Sequence, residues 1–392
     1  MTIITTTEEL QAFCDRLAEE EFITVDTEFI RDRTYYPQLC LIQLATDNEA
    51  VAVDTLAKGI DLTPLAAIFA NTNIVKVFHS ARQDIEIILG MYGAVPTPLF
   101  DTQVAATVCG FGEAASYETL ASKLAGAVID KSSRFTDWSQ RPLSEKQYHY
   151  AISDVTHLRI VYRKLLEMLE KSDRHAWLGD EIAALTNPEK YQINPEESWK
   201  RIKFRSTSPG FIKLVKELAK WRELMAQKIN IPRNHLLKEA VLLEIAAAAP
   251  TSLADLKRVR NIGSIAGNDK LGEQIVSIIQ TTKDLPKEAS PSKEPGRSGT
   301  SNGALVELLR VLLKMKCEEH QIAEKMIALT EDLYTIACEE GDALTNLPAM
   351  QGWRYDIFGK WAMELKEGKI ALSARDNQVK IVTLDTAEAI PE

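Results

Sequence analysis

From Phe22 to Phe29 the chain reads Phe-Ile-Thr-Val-Asp-Thr-Glu-Phe, an apolar run of strand length that carries two carboxylates two residues apart. Alternate side chains of a strand leave the same face, so Asp26 and Glu28 point the same way. Two like charges sharing one site are unfavourable unless a cation neutralises them, and hard oxygen ligands suit Mg²⁺ or Mn²⁺. An acidic pair on a solvated strand face is the plain alternative, and D-x-E by itself is common. The neighbours Ile23, Val25 and Phe29 argue for a buried strand, around which a sheet has to form.

The surrounding pattern supplies that sheet. Apolar runs at Leu39–Ala45, Ala50–Val53 and Ile74–Phe78 read as further strands. Helices fit between and after them: one opened by Thr6 and Glu9 in capping-box spacing, then Pro64–Ala70, Ala81–Met91 and Tyr117–Leu124. A longer helix is expected from after Pro142 to about Lys171, with Ser144 and Gln147 as its capping box. The first part of the chain is therefore α/β.

Beyond it the pattern turns helical. Asn187 to Pro209 holds three prolines and the run Lys200, Arg201, Lys203, Arg205, as expected of an exposed connector. Phe211–Lys228, His235–Ala248 and a start at Ser252 with Asp255 describe a helical bundle, and Ala304–Lys366 a second one of similar plan. Leu285–Gly303, rich in Pro, Ser, Gly and Lys, has the composition of a flexible linker. The expected units are 1–190, a connector over 191–209, helical domains over 210–284 and 304–375, the linker over 285–303 between them, and a tail over 376–392.

The whole chain carries a net charge of −10, which taken alone argues against a polyanionic partner. Its distribution says more, because between Glu196 and Lys283 the Lys and Arg residues outnumber Asp and Glu by seven. A basic domain thus sits on an acidic protein. The basic bundle fits either a nucleic-acid surface or a protein-interaction module kept soluble by its charge. The five cysteines are scattered without metal-binding spacing, no apolar stretch is long enough to span a bilayer, and the N-terminus has no basic and apolar leader; a reduced cytoplasmic protein is expected.

Two more acidic groups complete a pattern. Asp84, in His79-Ser80-Ala81-Arg82-Gln83-Asp84, falls in the first turn of a helix after a strand, where the helix dipole alone favours an acid; His79 reads as a structural hydrogen-bonder. Tyr150 and Asp154 stand i and i+4 on the long helix, placing a phenol beside a carboxylate. Each is uninformative singly. In this order, together with D-x-E, they form a much rarer combination.

These residues resemble the DEDD superfamily of 3′→5′ exonucleases in its tyrosine variant, and more narrowly the ribonuclease D family. The likeness extends over Val25–Phe29, Tyr36–Gln43, His79–Asp84, Phe100–Gln103, Asp137–Trp138, Arg141–Leu143 and Tyr150–Val155. Both helical units look like HRDC domains, the first through Trp221-Arg222 and Leu256–Gly263, the second more loosely through Leu347–Phe358. The resemblance implies an α/β RNase H-like nuclease domain followed by two all-α HRDC-like domains. It further implies two divalent metal ions, with Asp26 bridging them, Glu28 and Asp154 completing one site, Asp84 holding the other, and Tyr150 orienting or helping to deprotonate the attacking water.

Two cations about 3.5–4 Å apart suit an in-line phosphoryl displacement, so no nucleophilic side chain is required. By family-like position Arg82, Gln103, Lys131 and Arg141 are candidates to hold substrate, with exposed salt-bridge partners as the alternative; Asp101 and Gln103 are equally candidates for helix packing. The implied substrate is RNA, precursor tRNA foremost, handled by a monomer. A DNA 3′→5′ exonuclease remains an alternative, since no residue that reads a 2′-hydroxyl is identifiable. So does a catalytically silent nucleic-acid-binding adaptor, although all four acids and Tyr150 are present.

Overall fold

The computed structural model describes residues 2–206, 208–265, 267–284 and 303–384. The expected linker lies outside these except for Gly303, where a helix begins. The first unit is built on a six-stranded sheet of β1 (Ile3–Ile4), β2 (Phe22–Ile30), β3 (Gln38–Ala45), β4 (Ala50–Asp54), β5 (Val75–Phe78) and β6 (Leu99–Asp101), ordered β1-β4-β3-β2-β5-β6. β2, β3 and β4 run antiparallel, whereas β5 and β6 add parallel to β2.

Helices α1 (Thr7–Leu17), α2 (Thr63–Ala70) and α3 (Arg82–Tyr92) cover one face, where Ile23, Val25, Ile42 and Leu44 meet Leu10, Phe13 and Ile85. On the other face lies α6 (Glu145–Ser172), with α4 (Thr102–Val108) and α5 (Tyr117–Ala125) beside it. Ala151, Val155, Leu158 and Val161 of α6 are buried, the apolar stripe its sequence shows. α7 (His175–Thr186) closes this unit.

The connector departs from expectation. Two short 3₁₀ segments, Pro188–Tyr191 and Pro195–Arg201, are capped by Asn187 and Asn194, and they lead to Ile202, which is buried in the core of the next unit. Prolines at the first helical position favour such turns; the second segment packs on the bundle through Trp199 and Ile202, whereas Tyr191 of the first packs against the core of the first unit. That bundle comprises α8 (Pro209–Ile229), α9 (Arg233–Leu236), α10 (Glu239–Ala248), α11 (Leu253–Leu256) and α12 (Asp269–Asp284). The single helix expected over His235–Ala248 is broken at Leu237, which is extended because the Arg222 guanidinium takes its carbonyl and its side chain turns into the core.

The last unit starts with α13 (Gly303–His320), continues through short helices to Lys360–Lys366, and ends in a hairpin of β7 (Ile370–Arg375) and β8 (Gln378–Thr383). The expected tail from residue 376 therefore begins inside a hairpin, nucleated by Asp376 and Asn377, both at positive φ.

Candidate active site

β5 pairs only with Phe22–Thr24 of β2, so from Asp26 onward β2 is hydrogen-bonded to β3 alone and a cleft opens past the end of β5. Two helices deliver side chains to this opening. The turn into α3 is held by the Asp101 carboxylate, which accepts from the backbone N–H groups of Ser80 at 3.1 Å, Ala81 at 2.8 Å and Gln103 at 2.7 Å. Ser80 takes φ 61°, and the tight turn puts Asp84 in the first helical turn. Thr27, on the opposite face of β2 from Asp26, donates its hydroxyl to Asp84 Oδ1 at 2.5 Å.

α6 is positioned by its N-terminal capping box of Ser144 and Gln147 and by Thr24, whose hydroxyl donates to the Val155 carbonyl at 2.8 Å. That bond sits one residue beyond Asp154. Carboxylate oxygens of Asp26, Glu28 and Asp154 consequently lie within 4.8 Å of one another. They form the floor of a cleft of about 700 Å³, which Asp84 and Tyr150 also line. The sequence-predicted carboxylates and phenol are thus brought together, with Asp84 approaching Asp26 from the α3 side.

Burial and mutual repulsion disfavour ionisation of this cluster. Burial lifts Asp26 to about 7; burial together with the charge of Asp26 lifts Asp154 to about 8. Glu28, half-buried beside Asp26, Asp154 and Asp84, is pushed up to about 10 by desolvation and their charges, and Asp84 is raised well above the ordinary carboxylate range by burial and by Asp26. Tyr150 is shifted upward by burial and by the charge of Asp154. An all-carboxylate donor set at these spacings, costly to ionise without a counter-charge, fits hard divalent cations.

The four family-like polar residues divide. Gln103 and Lys131 line the cleft, Lys131 in an ion pair with Glu118. Arg82 is exposed on α3 outside the lining residues. Arg141 is corrected: all five of its N–H donors are used, with Nε and Nη2 forked onto Asp54 at 2.7 Å each and the rest on the carbonyls of Cys40, Trp138 and Gln140. It ties the loop before α6 to β3 and β4, leaving no donor for a phosphate. His79 bonds Thr102 through Nδ1 at 3.0 Å, as a structural hydrogen-bonder would, and burial holds its pKa down at about 4.

Other lining residues were not singled out by sequence. Tyr117 donates to the Ser153 carbonyl at 2.9 Å; Arg134 acts electrostatically on Glu28 and Asp154; and Phe135, 90% exposed, carries the Arg134 guanidinium 5.2 Å from its ring. Each comes from a loop or helix whose local pattern carries no chemical signal.

The 3'-5' exonuclease family matches residues 1–170 and the HRDC domain family residues 212–279. Ribonuclease D of Jannaschia sp. (strain CCS1) is 47% identical over 384 residues, covering 97% of this chain and 98% of the relative. The chain belongs to the ribonuclease D family. Ribonuclease D of Gluconacetobacter diazotrophicus is 46% identical, with 96% of each chain covered. The crystal structure of Escherichia coli RNase D superposes with a TM-score of 0.80 at 27% identity, over 94% of this chain and 98% of that one. This ribonuclease D family member is a 3′→5′ exoribonuclease with an α/β exonuclease domain and an HRDC domain. Its exonuclease family depends on divalent metal, in keeping with the acidic cluster.

Proposed function

We propose that the chain trims the 3′ ends of structured RNA, precursor tRNA among them, releasing nucleoside 5′-monophosphates, with Asp26, Glu28, Asp84 and Asp154 holding two divalent ions, Mg²⁺ or Mn²⁺. The observation that carries this reading is the convergence of Asp26, Glu28 and Asp154 within 4.8 Å on the floor of a cleft that Asp84 shares. Escherichia coli RNase D is described as an exoribonuclease involved in structured RNA processing, which supports the substrate class. When bound, the ions supply positive charge at the scissile phosphodiester and make water a stronger nucleophile at neutral pH.

Asp26 acts electrostatically on Glu28, Asp84 and Asp154 alike, which supports it as the shared ligand. Tyr150 keeps its proton at neutral pH, because burial and Asp154 both raise its pKa. That supports a phenol that orients the attacking water by hydrogen bonding over one that removes its proton. The water oxygen bonds to the terminal phosphorus as the bond to the neighbouring 3′ oxygen breaks. The proton lost by water and the proton gained by the 3′ oxygen exchange with solvent through the cleft.

The basic HRDC domain, proposed over 210–284, holds the RNA beyond the cleft. The last unit, from residue 304 through the hairpin, is proposed as a second, HRDC-like domain. The chain acts as a monomer, and in the cytoplasm, a compartment supported by its five free thiols. End-labelled RNA and DNA of one sequence, incubated with Mg²⁺, Mn²⁺ or EDTA, test it. Stepwise loss of nucleotides from the 3′ end of RNA is expected, abolished by EDTA and by Asp26→Asn. Equal or faster digestion of DNA would contradict the substrate assignment.

A further inference from the structure

Gln43 lies on β3 directly opposite Asp26 of β2. Directly paired residues of antiparallel strands project to the same face with Cβ atoms about 4.5–5.5 Å apart, so the amide is within reach of the Asp26 carboxylate. On this face Thr24 is bonded to α6, which closes over the pair. Gln43 is 0% exposed, and neither its Nε2 nor its Oε1 has a hydrogen-bond partner; among the described residues it is the one side chain with both polar ends so placed. Wholly buried amides are ordinarily paired, and one left unpaired destabilises the fold. A Leu or Met of similar volume would fill the same space without that penalty.

We infer that Gln43 is a positioning residue for the metal centre: its amide donates to the Asp26 carboxylate when that group holds a cation, fixing the orientation of the shared ligand. The inference rests on the metal-centre reading of the site. An amide with neither end partnered costs stability in the metal-free protein, so its place beside the shared ligand is matched to the loaded state. Hydrogen-bonding partners of metal ligands typically contribute about 10–100-fold in metal affinity.

Isothermal titration of the full chain with Mn²⁺, free of RNA, tests this in wild type, Gln43→Met and Gln43→Leu, alongside melting of each metal-free protein. Expected are Mn²⁺ affinities weaker by about 10–100-fold, with metal-free melting temperatures equal to or above wild type. Unchanged affinity, or unchanged affinity with a lower melting temperature as a purely structural role would give, overturns the role of Gln43. Absence of Mn²⁺ binding in wild type overturns the metal-centre reading itself. Should the variants not fold, ¹⁵N-glutamine spectra of wild type decide: the side-chain amide of Gln43 shifts on Mg²⁺ addition if the inference is right and stays in place if it is not.

Discussion

A carboxyl whose pKa is raised in the folded protein binds its proton more tightly there than in the unfolded chain. The stability this contributes is complete below the unfolded value of about 4 and is lost as pH rises through the folded values, about 7 for Asp26, about 8 for Asp154 and about 10 for Glu28. Metal-free protein should therefore become less stable from neutral to alkaline pH, and divalent ions, which bind the ionised forms, should restore it. Melting at pH 6 and pH 9 with and without Mg²⁺ checks the sign: the increment from Mg²⁺ is expected to be larger at pH 9, and an equal increment would count against the cluster as the binding site. Tyr150→Phe keeps the ring and loses the hydroxyl proposed to orient water. Its expected effect is a fall in single-turnover rate of about 10²-fold or more, with Mn²⁺ affinity near that of wild type.

At the scale of elements, the loop before α6 is a structural strap. Arg141→Ala should cost about 3 kcal/mol in urea denaturation, since it strands a mostly buried Asp54 and frees three carbonyls. The rate per folded molecule should change little, whereas a phosphate-binding role would lower it. The sequence argument and the structure part company at such places. The carboxylates were legible because β2 and α6 obey local periodicities, two and 3.6, that put Asp26 with Glu28 and Tyr150 with Asp154 on shared faces. Strands β2 to β5 and the limits of α2, α3, α5, α6 and α8 were legible for the same reason. The Thr27–Asp84 bond, the five-donor use of Arg141 and the packing of the connector through Ile202 were not, because each depends on partners dozens of residues away. The hairpin at the C-terminal end was missed because it is mostly exposed, with only Ile370 in the core of the last unit and Leu372 and Ile381 packed against it.

Across the whole molecule the helical units are fastened to the nuclease domain. Tyr35, on the loop that follows β2, is buried in the core of the first bundle, where its hydroxyl bonds Glu223 and where Asn230 accepts from the backbone N–H groups of Tyr35 and Tyr36 at 3.1 Å each. The last unit docks through Trp177 stacked on Trp353, ring centroids 4.4 Å apart, and through Arg354 paired with Glu181. RNA on the basic bundle, as proposed, would thus be held at a fixed place relative to the cleft. Arg201, Lys203 and Arg205 are exposed on the segment leading into that bundle. Replacing all three by Ala should weaken RNA binding and reduce the slope of log affinity against log salt by about two to three, while hydrolysis of a dinucleotide is unaffected. An unchanged slope would favour a protein-interaction role for the bundle.

The most direct test of the central claim is anomalous diffraction from crystals grown with Mn²⁺ and a short RNA 3′ end. Two peaks about 3.5–4 Å apart, both bonded to Asp26, one shared with Glu28 and Asp154 and the other on the Asp84 side, are predicted. Mn²⁺ bound elsewhere, with the four carboxylates turned away from the RNA terminus, would contradict it.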